Sequence, residues 1–92
     1  MLEIKKSKEK FYIGDNEDNP LGEITLSNMD ENTITIEHTI VKDELKGQGA
    51  AKQLVKKVVD FAREENKKVI PVCTYAKSEF ERNKEYEDVL KK

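Results

Sequence analysis

Three side chains in this sequence are of types suited to acyl or proton transfer: His38, Cys73 and Tyr75. His38 is the only histidine, and an imidazole that titrates near neutral pH can serve as a base. Cys73 is the only cysteine, and its thiolate would be a nucleophile toward a carbonyl carbon. Tyr75, two residues further on, carries a phenol able to return a proton to a leaving group. A second constellation lies between them, in "DELKGQGAAK" from Asp43 to Lys52. Gly47 and Gly49 stand directly before a helical pattern, where the first helical amides lack partners and the helix dipole adds positive potential. The glycines keep side chains away from those amides, and Lys46 and Lys52 add charge beside them. Such a turn is a seat for phosphate or diphosphate, or else simply a sharp corner.

Each of the three side chains also has a reading without chemistry. His38 can be a core histidine hydrogen-bonded on its sheet, Cys73 a small buried hydrophobe, and Tyr75 a packing ring with a wet hydroxyl. Glu37 is a weaker candidate base and Glu44 a solvated one. Phe80 and Tyr86 read as packing residues that hold the tail onto the sheet.

The elements that must place these groups follow from punctuation and period. "GDNEDNPLG" and "SNMDEN" are dense in turn formers, and between and around them lie short runs rich in β-branched and aromatic residues. The first forty or so residues therefore read as an antiparallel meander of about four strands. In "TITIEHTIV" strict alternation puts Ile34, Ile36, His38 and Ile40 on one face, with Thr33, Thr35, Glu37, Thr39 and Val41 on the other. His38 then shares the apolar face, provided no bulge resets the parity. From Gly49 the period changes: Ala51, Leu54, Val55, Val58, Val59 and Ala62 form the stripe of an amphipathic helix of roughly four turns, ending near Asn66. Val69 to Cys73 reads as a short buried strand, with Pro71 demanding an edge or a splay. The remainder reads as one or two short helices, and Ser78 and Glu81 have capping-box spacing. Strand, helix, strand at this length implies one right-handed parallel crossover. The fold class is α/β (α+β by some schemes): a mixed sheet of about five strands with an antiparallel first half and a helical C-terminal tail.

Composition narrows the function classes. Ninety-two residues make one domain, residues 1–92, and 39% of them are charged. Seventeen basic and nineteen acidic residues are interspersed for a net charge of −2, which leaves no basic patch for nucleic acid. No apolar run is long enough to cross a bilayer, no signal peptide is visible, and one cysteine cannot form an internal disulfide. A cytoplasmic protein that does not contact membranes is expected. No metal site is expected either: an EF-hand reading of "DNEDNP" fails because Pro20 replaces the required glycine and Leu26 the closing glutamate.

Two familiar phosphate loops also fail. "GQGAAKQ" lacks the G-K-[ST] ending of the P-loop, and Lys52 stands where the dinucleotide fingerprint needs a third glycine. The pattern that remains is [QR]-x-x-G-x-[GA], the acyl-CoA diphosphate loop of the GNAT acetyltransferase superfamily. It reads here Lys46-Gly47-Gln48-Gly49-Ala50-Ala51, with Lys in place of Gln or Arg at its head, which keeps the charge but loses the planar fork. Through "EHTIV…ELKGQGAAKQLV", "KVIPVC" and "NKEYEDVL", roughly residues 8 to 90, the chain resembles short single-domain GNAT-like acetyl-CoA-binding proteins. The resemblance implies a reduced GNAT fold and acetyl-CoA (CoA) as cofactor, with Lys46, Gly47, Gln48, Gly49, Ala50, Ala51 and Lys52 at its diphosphate. It further implies that Thr39, Ile40 and Val41 carry the pantetheine arm by main-chain hydrogen bonds. The thioester would lie in a V between that strand and the one ending at Cys73, where Tyr75 could protonate the departing CoA thiolate and His38 could lower the thiol's pKa. Larger members of the superfamily have helices before the third strand and a closing hairpin, so the acceptor pocket is expected to be reduced or supplied by a partner protein. Two functions follow: a small N-acetyltransferase of unidentified acceptor, or a non-catalytic or self-acylating (Cys73) acyl-CoA-binding module that acts through a partner.

Overall fold

Turn-forming residues break the first half of the chain into four antiparallel strands: β1 (Lys5–Ser7), β2 (Lys10–Ile13), β3 (Gly22–Ser27) and β4 (Thr33–Val41). The computed structural model describes residues 3–27 and 30–91. Met1 and Leu2, Asn28 and Met29 of the "SNMDEN" turn, and the terminal Lys92 lie outside the described residues. Helix α1 (Ala50–Glu65) then carries the chain back to β5 (Lys68–Pro71), which pairs parallel to β4. The strand order is β1-β2-β3-β4-β5, a mixed sheet with the single crossover the sequence implied. Helix α2 (Thr74–Arg82) and a 3-10 segment (Lys84–Val89) form the tail. Ser78 and Glu81 lie inside α2, so they cap nothing.

The stripe read from the sequence is the face that α1 buries: Leu54, Val55, Val58, Val59 and Ala62 are fully covered. They pack on Phe11, Ile24, Leu26, Ile34, Ile36 and Val69 from the strands and on Ala76, Phe80 and Tyr86 from the tail. Each large aliphatic side chain so covered contributes at most about 1.5–3 kcal/mol. The helix stops where Asn66 takes left-handed angles (φ 57, ψ 44) and the Lys67 amide turns back to the Ala62 carbonyl at 2.8 Å. Pro71 sits in the edge strand β5, as its missing amide requires.

Strand β4 departs from strict alternation. Thr25 faces His38, but its neighbour Leu26 faces Ile36, so Glu37 is an extra residue, a bulge in β4. Before it Ile34 and Ile36 are buried; after it the parity is reversed. His38 is exposed and Ile40 is 55% exposed, while Thr39 and Val41 take the inward face. The expected place of His38 among the isoleucines is therefore corrected: one inserted residue turns it out to solvent. Glu37 is bonded to the Ser27 hydroxyl across the bulge.

The tail is fastened to α1 by a two-point ion pair, with Arg63 Nε and Nη2 at 3.0 and 2.9 Å from the two Asp88 oxygens. The guanidinium hydrogen bonds hold the Asp88 carboxyl below its ordinary 3.8. A carboxyl depressed by folding stabilises the folded state above its unfolded pKa, and that contribution is lost as pH falls through the folded value. Asp88→Asn is accordingly expected to lower the melting temperature modestly at neutral pH. At pH values below the folded pKa it should leave the melting temperature level with the parent protein, which thermal scans across acidic pH would show.

Candidate functional site

The turn before α1 bends through two left-handed glycines. A 3-10 turn at Asp43–Leu45 ends with Leu45 buried, and the chain then reverses through Gly47 (φ +83) and Gly49 (φ +68). That region costs an L side chain about 1–2 kcal/mol. A Cβ at Gly47 would meet nothing within 4 Å, and one at Gly49 would come no closer than 3.9 Å to Gln53 Nε2. Backbone angle rather than crowding therefore demands glycine, and the space above both residues is open.

Gly49 is the N-cap of α1 and offers no side-chain oxygen, and the first turn holds no acid. A serine or aspartate there would occupy one of the first amides and offset the dipole. Two amides of the turn are tied: Lys46 to the Asp43 carbonyl (3.0 Å) and Gln48 to the Leu45 carbonyl (3.2 Å). Those of Gly47, Gly49, Ala50, Ala51 and Lys52 have no such bond among the described residues. Gln48, one of the anticipated anion-binding residues, also braces the loop. Its side chain donates to the Glu44 carbonyl at 3.3 Å and its own carbonyl accepts from Gln53 at 3.1 Å.

These groups surround a cleft of about 290 Å³. Lys46, Gly47 and Gly49 form one side and Ala50, Ala51 and Lys52 another, while Val41 enters from β4 and Tyr75 from α2. The volume lies at the small end of ligand sites, about 300–1,000 Å³. A larger groove of about 450 Å³ lies by Pro71, Phe80 and Leu90. It contains none of the turn residues, and its size alone gives it no chemistry.

Beside the cleft, β4 and β5 part. Their pairing ends at Ile36 and Pro71, where the amides of Val72 and Cys73 both turn to the Ile36 carbonyl. On its other side β4 continues along β3, with Lys42 donating to Leu21 at 2.8 Å. By the antiparallel alternation, the main-chain groups of Thr39 and Val41 face the gap while those of Ile40 face β3. The resemblance implied main-chain bonds to the pantetheine arm from all three; the register leaves the main chain of Thr39 and Val41 facing the gap and turns that of Ile40 to β3.

Cys73, expected at the end of β5, instead begins α2 as its N-cap, because pairing stops at Pro71. Its Sγ lies 3.6 Å from the Thr39 hydroxyl across the gap. Burial is the largest single influence on the thiol and acts upward. The amides of Ala76, Tyr75 and Thr39 and the Thr39 hydroxyl together outweigh it, and hold the thiol below the ordinary 9.0. The two α2 amides act as the positive end of a helix, with no capping bond of ordinary geometry closed by the side chain. The structure thus brings Thr39 to Cys73, and Val41 to Tyr75 and the turn. It sets His38 on the opposite face of β4, so the expected His38–Cys73 pairing across the V is replaced by a Thr39–Cys73 contact. Leu45, which also lines the cleft, is not singled out by any pattern in the sequence.

Comparison with known proteins agrees with this fold. Residues 10–89 match the family of GCN5-related N-acetyltransferases. A GCN5-like candidate N-acetyltransferase from Staphylococcus aureus, solved by NMR, is 52% identical, with 98% of this chain and 88% of that one covered and a TM-score of 0.81. A GNAT family acetyltransferase from Elizabethkingia anophelis with acetyl-CoA bound is 22% identical, covering 67% of this chain and 40% of that one at a TM-score of 0.53. The GNAT family N-acetyltransferase YhbS from Escherichia coli, in complex with CoA, is 24% identical, covering 67% and 38% at 0.55. At those identities the likeness of the last two concerns the fold, and the chain spans less than half of either. A search of curated proteins finds no match.

Proposed function

The chain belongs to the GCN5-related N-acetyltransferase family, and from that premise we propose that it binds acetyl-CoA and transfers the acetyl group to an amine. The observation that carries the reading is the start of α1: an uncapped helix head, without a first-turn acid, opening on a cleft bordered by Val41 and Tyr75. In this reading the amides of Gly49, Ala50, Ala51 and Lys52, with the ammonium groups of Lys46 and Lys52, hold the diphosphate. The main chain of Thr39 and Val41 holds the pantetheine arm in the gap. Bound acetyl-CoA supplies an activated thioester. Tyr75 stands at the cleft wall as proton donor for the departing sulfur. His38, on the outer face of β4, can take a proton only from an acceptor approaching on that side. The closing experiment is calorimetric titration with acetyl-CoA and with CoA, followed by assay of thiol release with an amine panel. Saturable binding of both and amine-dependent release are expected; absence of binding would refute the reading.

One observation favours a second reading, the self-acylating module. Cys73 sits at the gap with its thiol held low, and thioester exchange onto it would form one thioester bond as another breaks. Mass spectrometry after incubation with acetyl-CoA should then show one added acetyl group in the parent protein and none in Cys73→Ser. An unmodified parent protein would refute self-acylation and leave direct transfer standing.

A further inference from the structure

Three large hydrophobic side chains stand exposed among the described residues: Ile40 at 55%, Ile70 at 36% and Val72 at 53%. All three lie around the gap where β4 and β5 part, on the sheet face away from α1. The bulge at Glu37 turns His38 and Ile40 to that face. On β5, Val69 is buried in the core, so alternation sends Ile70 outward beside Thr35. Val72 directly precedes Cys73, whose thiol meets Thr39 across the gap, so Val72 flanks the opening on the side facing His38 and Ile40. Apolar side chains exposed singly are ordinary, but three that converge beside a gap mark a binding surface.

The two carboxylates of this face are engaged. Glu23, the cross-strand neighbour of Ile40, is held by Lys10 Nζ at 2.9 Å, and Glu37 is bonded to the Ser27 hydroxyl. The face therefore offers apolar contact before it offers a seat for a second ammonium group. The cleft at the head of α1 opens on the other side of the gap, the side of Val41. We propose that the outer face is where the acceptor docks, and that the acceptor is a monoamine whose alkyl or aryl body packs on Ile40, Ile70 and Val72. The inference deepens the acetyl-transfer reading and rests on it. The nitrogen reacts as the free base, and an apolar surround disfavours its charged form. A C–N bond forms as the C–S bond of the thioester breaks. The proton that the nitrogen loses passes to His38 on the same face or to water, and the departing sulfur takes one from Tyr75, which recovers it from solvent.

The test has two arms. In protein loaded with CoA and labelled at its isoleucine and valine methyl groups, hexylamine should shift the NMR signals of Ile40, Ile70 and Val72 ahead of all others. Diaminobutane should leave them still. In transfer assays, kcat/KM should rise about two- to fourfold for each methylene added from ethylamine to hexylamine. Diaminobutane should be roughly tenfold poorer than butylamine, since its second ammonium group must leave water. The double variant Ile40→Thr with Val72→Thr should flatten the rise with chain length. Its affinity for CoA, read by calorimetry, should hold, because neither side chain lines the cleft. A flat response to chain length in the parent protein, a preference for diaminobutane, or unmoved methyl signals would overturn the proposal. So would a dimer of the parent protein that the double variant breaks into monomers, for the patch would then be a contact between copies. Failure to bind CoA at all would instead remove the acetyl-transfer reading, and this inference with it.

Discussion

Gly49→Glu is expected to weaken CoA binding by about three orders of magnitude while the domain stays folded. The substituted carboxylate would stand at the head of α1, where the free amides and Lys46 and Lys52 make the potential positive. A like charge about 4 Å from a phosphate oxygen, at an effective dielectric constant of about 20, costs roughly 4 kcal/mol, and each 1.4 kcal/mol is tenfold in affinity. A side chain also has room there, since a Cβ at Gly49 meets only Gln53 Nε2 at 3.9 Å. The left-handed angle costs about 1–2 kcal/mol of stability, within the 5–15 kcal/mol typical of small domains. Gly49→Gln carries the same strain and bulk without the charge. The difference in affinity between the two variants, read by calorimetry, isolates the electrostatic part. Unchanged affinity in both would mean that the turn is a corner and that no anion sits on it.

Leu54→Ala should have the largest effect on stability. Leu54 is fully buried on α1 and belongs to the apolar cluster that joins helix, sheet and tail. Truncation of such a residue costs about 2–5 kcal/mol from lost transfer energy and the cavity left behind. In a domain of this size each kcal/mol lowers the melting temperature by about 4–8 °C. The variant should therefore melt far below the parent protein. Leu54 faces the sheet and contributes no group to the cleft, so the fraction that remains folded should bind CoA with unchanged affinity. A loss of affinity at temperatures where Leu54→Ala is fully folded would mean that core packing sets the aim of the α1 amides.

How much of this could be read from residues alone differs from element to element. Periodicity located α1 to within a residue, because its stripe from Leu54 to Ala62 has one interpretation and Asn66 ends it with a left-handed angle. Asn, Asp, Gly and Pro clusters located the second and third turns of the meander for the same local reason, whereas the first, at Lys8 and Glu9, carries no such residue. The face of His38 was not legible. Glu37 satisfies a strict alternation as well as a bulge does, and only the cross-strand register of Thr25 and Leu26 decides between them. The place of Cys73 was misjudged because "VIPVC" is apolar throughout, whereas the ladder stops at Pro71 and the thiol passes to the head of α2. Within the glycine turn the residue types were legible but not the hydrogen bonds. That Lys46 and Gln48 lose their amides to Asp43 and Leu45 follows from the preceding 3-10 turn, which has no sequence signature of its own.

The contrast between tied and free amides offers the most direct test of the central claim. In a titration of the nitrogen-labelled protein with CoA, the amide signals of Gly49, Ala50, Ala51 and Lys52 should move together and furthest, with those of Lys46 and Gln48 moving less. If those four stay still, or the shifts gather instead around Pro71, Phe80 and Leu90, then the head of α1 is not where the diphosphate binds.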